Sequence, residues 1–232
     1  MLFEYSYKIA GSNFEKNKNK ALILASKMLP EYIFDTAKLE NNPITFPEVK
    51  TLIDGITIGG HKVSDVQQVL NIKNAWEYLL HNLKLNKFSV SKKSFNKINQ
   101  LISNEEALFP GKFRSGSVGI AGTSNYIAPN FNKLNDIFDS ELNIILGGFN
   151  PIEQAIRIFL WGSLNQFYWE GNKRTFRLIS NGILINSGVG IFNIKVNDIL
   201  EFNILMIEFY DTQIADNIVK FLNEKAIIAI ES

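Results

Sequence analysis

Helix starts and stops punctuate this chain so often that little length is left for a sheet. Thr45-Phe46-Pro47-Glu48 is a capping box with proline in the first turn, so TFPEVKTLIDG opens a helix that Gly55 closes. Ser64-Asp65-Val66-Gln67 reads as a second box, opening SDVQQVLNIKNAWEYLL. Asn150-Pro151-Ile152-Glu153 opens a long apolar helix expected to run to about Trp169. Glu170-Gly171-Asn172 breaks it, and KRTFRLISNGILINSG is a further helix ending at Gly188. Helical spacing also marks Asn19 to Leu29, where Ala21, Leu22, Leu24, Ala25 and Met28 recur, and the face of Leu134, Ile137, Phe138, Leu142 and Ile145. Helices are further expected over EYIFDTAKLENN, over Lys92 to Ser103, and as a pair between Asp198 and Glu224.

One stretch has a different texture. In FPGKFRSGSVGIAGTSNYIAP, Val118 and Ile120 alternate with glycines, and Gly122 to Asn125 supply turn residues. It reads as one short β-hairpin in an otherwise all-α protein. No repeat or linker divides the chain, so a single domain with an N-terminal helical extension is expected, residues 1–60 before a core of 61–232.

Composition narrows the chemistry. The 232 residues carry a formal net charge of +1, which supplies no global field for nucleic acid or a membrane surface. The absence of cysteine excludes disulfides and thiolate metal sites and fits a reducing compartment. The opening MLFEYSYKIAGSNFEK has Glu4 and no basic flank, so it is not expected to be a signal peptide. The longest apolar stretches break within about ten residues, short of the roughly 20 that span a bilayer. A cytoplasmic protein is the expectation.

The junction QFYWEGNKRTFR, residues 166–177, concentrates charge where one helix ends and another begins. The first amides of a helix are unpaired and carry partial positive charge, so they favour an anion. Lys173 and Arg174 add formal charge there, and Arg177 lies one turn deeper on the same side. Glu170 is suited to Mg²⁺, which often binds one carboxylate plus phosphate oxygens. The pattern suits a nucleotide triphosphate; solvated surface pairs at a helix junction fit the same residues.

The segment resembles the Fic motif, His-x-Phe-x-[Asp/Glu]-Gly-Asn-Gly-Arg-x-x-Arg. Glu170, Gly171, Asn172, Arg174 and Arg177 match it; Tyr168 replaces the phenylalanine, Lys173 the second glycine, as in the related Doc subgroup, and Gln166 the histidine. FPGKFRSGSVGIAGTSNYIAP is similar to the family's Pro-Gly…Arg…Val…Ile-Gly…Tyr-x-Pro-Pro segment, with Pro129 keeping one proline, and TFPEVKTLIDGITIGGHKVSD to the helix and turn before the family core. TAKLEN, residues 36–41, fits the inhibitory pattern [Ser/Thr]-x-x-x-Glu-[Gly/Asn]. The resemblance covers roughly residues 31 to 224.

It implies a Fic-type helical bundle with a β-hairpin flap, and transfer of AMP from ATP to a hydroxyl side chain of another protein. Under it, Glu170 holds Mg²⁺, Asn172 and the loop amides of Gly171 and Lys173 hold the α-phosphate, Arg174 grips the β-phosphate and Arg177 the γ-phosphate. Thr123, Ser124, Asn125 and Tyr126 form the flap that docks the target's backbone as an extra strand, through unpaired hairpin groups. Glu40 is the brake, pairing with Arg177 and displacing the γ-phosphate, with Thr36 bracing it one turn earlier. One guanidinium fork cannot pair fully with a carboxylate and a phosphate together. The expected partner is a protein at the flap, with neither nucleic acid nor membrane; self-association is left open.

Gln166 stands where the family histidine removes the proton of the target hydroxyl. A neutral amide can orient that hydroxyl but does not titrate. General base catalysis is worth roughly 10²–10⁴ in rate. The only histidines, His61 and His81, fall in a turn and at a helix end, away from the expected cleft, and Asn165 fails for the same reason as Gln166. The resemblance therefore leaves an impaired AMP transferase, or a nucleotide-binding pseudoenzyme acting through a partner. A Doc-like kinase and an enzyme removing AMP meet the same missing histidine.

Overall fold

A computed structural model describes residues 2–9 and 16–230; the outer limits of the two expected units, residues 1 and 232, lie outside the described residues. Ten α-helices are found among them, with one two-stranded sheet. Helices α1 (Lys18–Lys27), α2 (Leu29–Leu39), α3 (Phe46–Ile53), α4 (Val63–Lys84) and α5 (Lys92–Ile102) precede a long irregular segment. Then come α6 (Leu134–Leu146), α7 (Pro151–Asn165), α8 (Asn172–Ser187), α9 (Ile199–Thr212) and α10 (Asp216–Phe221).

The centre is the α7–α8 pair. Both helices are buried over almost their whole length; α7 carries apolar residues on most of its faces, whereas α8 buries Asn172, Arg174, Arg177, Ser180 and Asn181 among its apolar side chains. Helices α1, α4 and α5 also pack on α8. Gly162 lets α7 and α8 close: a Cβ there would fall inside the Phe176 ring. Gly162→Ala is therefore expected to cost about 3 kcal/mol, the upper part of the range for overpacking a filled core, measured as a lowered urea midpoint. A change under about 0.5 kcal/mol, the scale of a neutral surface substitution, would show that the pair has slack.

Most boundaries follow the caps. Asn150 accepts from the Ile152 and Glu153 amides and starts α7. The Thr45–Glu48 box forms, with the Thr45 amide 2.8 Å from Glu48 Oε2. Its geometry involves His61, whose Nε2 lies 2.9 Å from Glu48 Oε1. Hydrogen bonds from Thr45 and then His61 hold the Glu48 carboxyl down at about 2.

Three expectations need correction. The Ser64 box does not form: α4 starts at Val63, its N-cap Lys62 makes no side-chain cap, and Gln67 instead donates to Asn71. Helix α7 ends at Asn165, not near Trp169, because Gln166 adopts the left-handed conformation at φ 47° and closes the helix. The β-pair is not in 109–129. It joins β1 (Gly190–Phe192) to β2 (Ile227–Ala229), antiparallel, across the intervening α9 and α10. Residues 1–60 share the core of the rest: Ala21, Leu22, Tyr32, Ile33, Val49 and Leu52 lie in the same buried cluster as α7 and α8.

Candidate functional site

The turn between α7 and α8 is built by its own side chains. Asn172 Oδ1 accepts from the Tyr168 amide at 2.9 Å, and its Nδ2 donates to the Tyr168 carbonyl at 2.8 Å and to Gln166 Oε1 at 3.0 Å. Gln166 Nε2 donates to the Ser163 carbonyl at 2.7 Å. Gly171 sits at φ +73° as the N-cap of α8, a conformation glycine takes without strain. The side chain of Asn172 thus braces the turn; what it offers an anion is its backbone amide, with those of Lys173 and Arg174, which precede the first intrahelical bond, Thr175 N–H to the Gly171 carbonyl. Asn165 points away into the core and donates to the Trp161 carbonyl.

Asn172 and Lys173 line a cavity of about 330 Å³ whose walls also include Glu40, Val118, Gln166, Glu170 and Gly171, with Gly119 and Trp169 completing them. Three separate chain segments meet there: the end of α2, the irregular segment after α5, and the α7–α8 turn. The volume falls at the small end of the range for ligand clefts. His61 and His81 are not among its walls.

The two arginines are differently placed from expectation. Arg174 is 4% exposed and grips Glu106 with two parallel bonds, Nη1–Oε1 3.0 Å and Nη2–Oε2 2.7 Å. Its Nε lies 3.9 Å from Glu40 Oε2 and has no hydrogen-bond partner. Glu40 therefore pairs with Arg174, not with Arg177. The cause is the C-terminal position of Glu40 on α2, which brings it over the first turn of α8. Burial alone would push the Glu40 carboxyl up, but Arg174, Lys173 and Arg177 together hold it below the usual carboxylate range. Arg177, one turn deeper, lies beneath α2 beside a cavity of only about 10 Å³, the least that admits a water. Its Nη2 has no partner, and burial lowers its pKa to about 10 against the pull of Glu40. Thr36 lines the same small cavity and makes no hydrogen bond to Glu40, so the expected brace is absent. What anchors α2 is Asp35, which accepts from Asn193 Nδ2 at 2.6 Å.

The flap also differs. Thr123 to Tyr126 are not strand, and their amides are not unpaired. The Asp211 carboxylate on α9 accepts from the amides of Ser124, Asn125 and Tyr126 at 2.8–3.2 Å. Thr123 Oγ1 bonds the Ile120 carbonyl. Arg114, 2% exposed, donates to the carbonyls of Gln166, Gly116 and Pro129, tying both ends of the segment to the α7–α8 turn. Local alternation suggested a strand, but the glycines leave no cross-strand side chains to pack, and carboxylate and guanidinium bonds satisfy the backbone instead.

Glu170 stands at the rim of the cleft, exposed by area. Desolvation by the walls pushes its carboxyl up, Arg174 opposing and Glu106 and Glu40 adding to the rise. No group of three or more metal-binding side chains occurs among the described residues. One carboxylate beside a cleft of this volume still fits Mg²⁺, which takes its remaining oxygens from a ligand's phosphates and water. Glu106 and Asp211 escaped sequence reasoning: one follows another glutamate in the loop after α5, the other sits near the end of an apolar helix, and neither spacing nor capping distinguishes it.

No family model matches the sequence, and no curated protein does. The structure does have relatives. Fic-1 of C. elegans (residues 134–508) superposes with a TM-score of 0.74 at 20% identity, covering 91% of this chain and 64% of that one. This chain thus spans under two thirds of that protein's solved length. A Fic-domain signalling protein of Bacteroides thetaiotaomicron gives 0.73 at 17% identity, over 90% and 85% of the two chains. A Fic family protein of Desulfovibrio desulfuricans gives 0.69 at 16% identity, over 95% and 73%. At such identities the likeness speaks for the fold, and on it, together with the helix order and the α7–α8 turn, this chain has the all-α fold of the Fic-domain proteins.

Proposed function

We propose that this chain binds ATP with Mg²⁺ at the start of α8, and that its ancestral chemistry is transfer of AMP to a protein hydroxyl, impaired here by Gln166 and restrained by Glu40. The observation that carries this reading is the convergence of Glu40, Gln166, Glu170 and the α8 amides on one cleft. Gly171, Asn172 and Lys173 would receive the α-phosphate on their amides, where helix-end charge favours an anion. Glu170 would hold Mg²⁺, which neutralises phosphate charge when bound. Arg174 and Arg177 would take the outer phosphates once α2 yields. Residues 1–60 then act as an inhibitory extension on 61–232, and the flap at Thr123–Tyr126 receives the protein target when Asp211 lets go.

The transfer breaks the bond between the α- and β-phosphates, forms a P–O bond to the hydroxyl, and releases pyrophosphate; the hydroxyl proton must also leave. Gln166 is committed at both ends of its amide, to Ser163 and Asn172, and takes no proton. That commitment favours a second reading, a nucleotide-binding pseudoenzyme that signals through the flap. No helix of the described residues is long and apolar enough to cross a membrane, and we place the activity in the cytoplasm.

Calorimetric titration with Mg–ATP tests the shared part of both readings. Wild type is expected to bind weakly and Glu40→Gly more tightly. No binding by wild type, by Glu40→Gly or by Glu40→Gly with Glu106→Gln would remove the nucleotide from the picture.

A further inference from the structure

Carboxylates already stand against the cations of this region before any ligand arrives. Lys173 and Arg174 act on Glu40, Arg174 also on Glu106 and Glu170, while the deeper Arg177 feels Glu40 and Asp35. The partition among them is uneven. Glu106 holds both Nη groups of Arg174 in a bidentate pair, whereas Glu40 approaches only Nε, at 3.9 Å and without a hydrogen bond. The bidentate pair is the stronger of the two geometries, and it uses the face of the fork that a phosphate would need.

Glu106 is held in that position. Its amide donates to the Ser103 carbonyl, and the preceding Glu105 turns the chain at φ 61°. Asn71 Nδ2 and Gln68 Nε2, both from α4, reach its carboxylate oxygens at 3.4 and 3.5 Å. Asn71 is itself fixed to the Asn104 carbonyl at 2.7 Å. Gln68 accepts from Asn42 Nδ2 at 3.1 Å, two residues beyond Glu40. The contact therefore belongs to a network joining α4, the segment after α5, and the end of α2.

We infer that Glu106 is a positioning residue for Arg174 and a second carboxylate restraint on the phosphate site, beside Glu40. The inference rests on the nucleotide reading above and adds a consequence to it. Removing Glu40 clears only the Nε side of Arg174 and leaves its two Nη groups held by Glu106. Full engagement of the outer phosphates requires both carboxylates to give way.

The test uses the full chain with two probes, Mg–ATP and inorganic tripolyphosphate with Mg²⁺. Glu106→Gln is expected to tighten binding by on the order of tenfold, the scale of one charge-assisted contact regained by the ligand. The gain should persist in the Glu40→Gly background, and the double variant should exceed either single one. Stability should move the other way, because Arg174 loses its ionic partner; a purely structural Glu106 would lower stability with no gain in affinity. If Glu106→Gln does not hold its fold by circular dichroism, Glu106→Asp keeps the charge but shortens the reach by one methylene, and a smaller gain is expected. A gain for tripolyphosphate without one for ATP would sustain the restraint while refuting the nucleotide. ATP binding that tightens with Glu40→Gly, but not with either Glu106 variant, would sustain the nucleotide and refute the restraint.

Discussion

Placing histidine at position 166 in the Glu40→Gly background should raise AMP transfer by about 10²–10⁴ over Glu40→Gly alone, the ordinary worth of a general base. The comparison within one background isolates the proton step from the opening of the arginines. The backbone will accept the change: Gln166 sits at φ 47°, and histidine is among the residues that tolerate this region. The ring nitrogen nearer the backbone can donate to the Ser163 carbonyl, replacing the Gln166 bond of 2.7 Å, which leaves the far nitrogen as acceptor in the cleft. Such a base works only when neutral. Transfer should therefore rise with pH through about 6.5, the unperturbed histidine value, and level off above it. Counting label from α-labelled ATP on protein in lysate gives the rate. Strong transfer by the wild type, indifferent to changes at Gln166, would mean that the proton leaves by another route.

Arg174→Ala is expected to destabilise the fold by about 3 kcal/mol, the low end of the cost of stripping a buried ion pair of one partner. The low end applies because Glu40 and Glu106 keep 21% and 22% side-chain exposure, so water recovers part of the loss. Their carboxylates would then face each other and Glu170 without the guanidinium that separates them. The pH dependence carries a sign. In the wild type the Glu40 carboxyl lies below its ordinary 4.5, so its contribution is complete above that pH and fades as pH falls through the lowered value. In Arg174→Ala the carboxylates repel, their protonation becomes favourable, and the deficit relative to wild type should shrink on acidification. Urea unfolding at pH 7 and pH 5 measures both. A loss below about 1 kcal/mol, the worth of an exposed salt bridge, would show that the pair is solvated rather than structural.

Local chemistry was enough to read most helices and the turn that carries the site. Asn150 and Pro151 start α7, Gly171 and Gly188 bound α8, and the Thr45 box starts α3, because capping is settled within one turn of chain. The fold class followed from the same signals. The position of Glu40 beside the α7–α8 turn was legible only through resemblance to a known motif.

Partnerships between distant segments were decided by packing. Arg174 and Glu106 are 68 residues apart, Ser124 and Asp211 87 apart, and nothing in the intervening sequence encodes their meeting. Arg177 reads as a γ-phosphate clamp through the motif it resembles, yet α2 lies over it and shuts it beside a water-sized cavity. The β-pair arose at Gly190–Phe192 and Ile227–Ala229, where α9 and α10 return the chain, and not at the alternating Val118–Ile120. A capping residue acts on its own turn, so the sequence by itself determines it. A buried guanidinium takes whichever carboxylate the assembled helices bring within reach, and only the tertiary structure decides which.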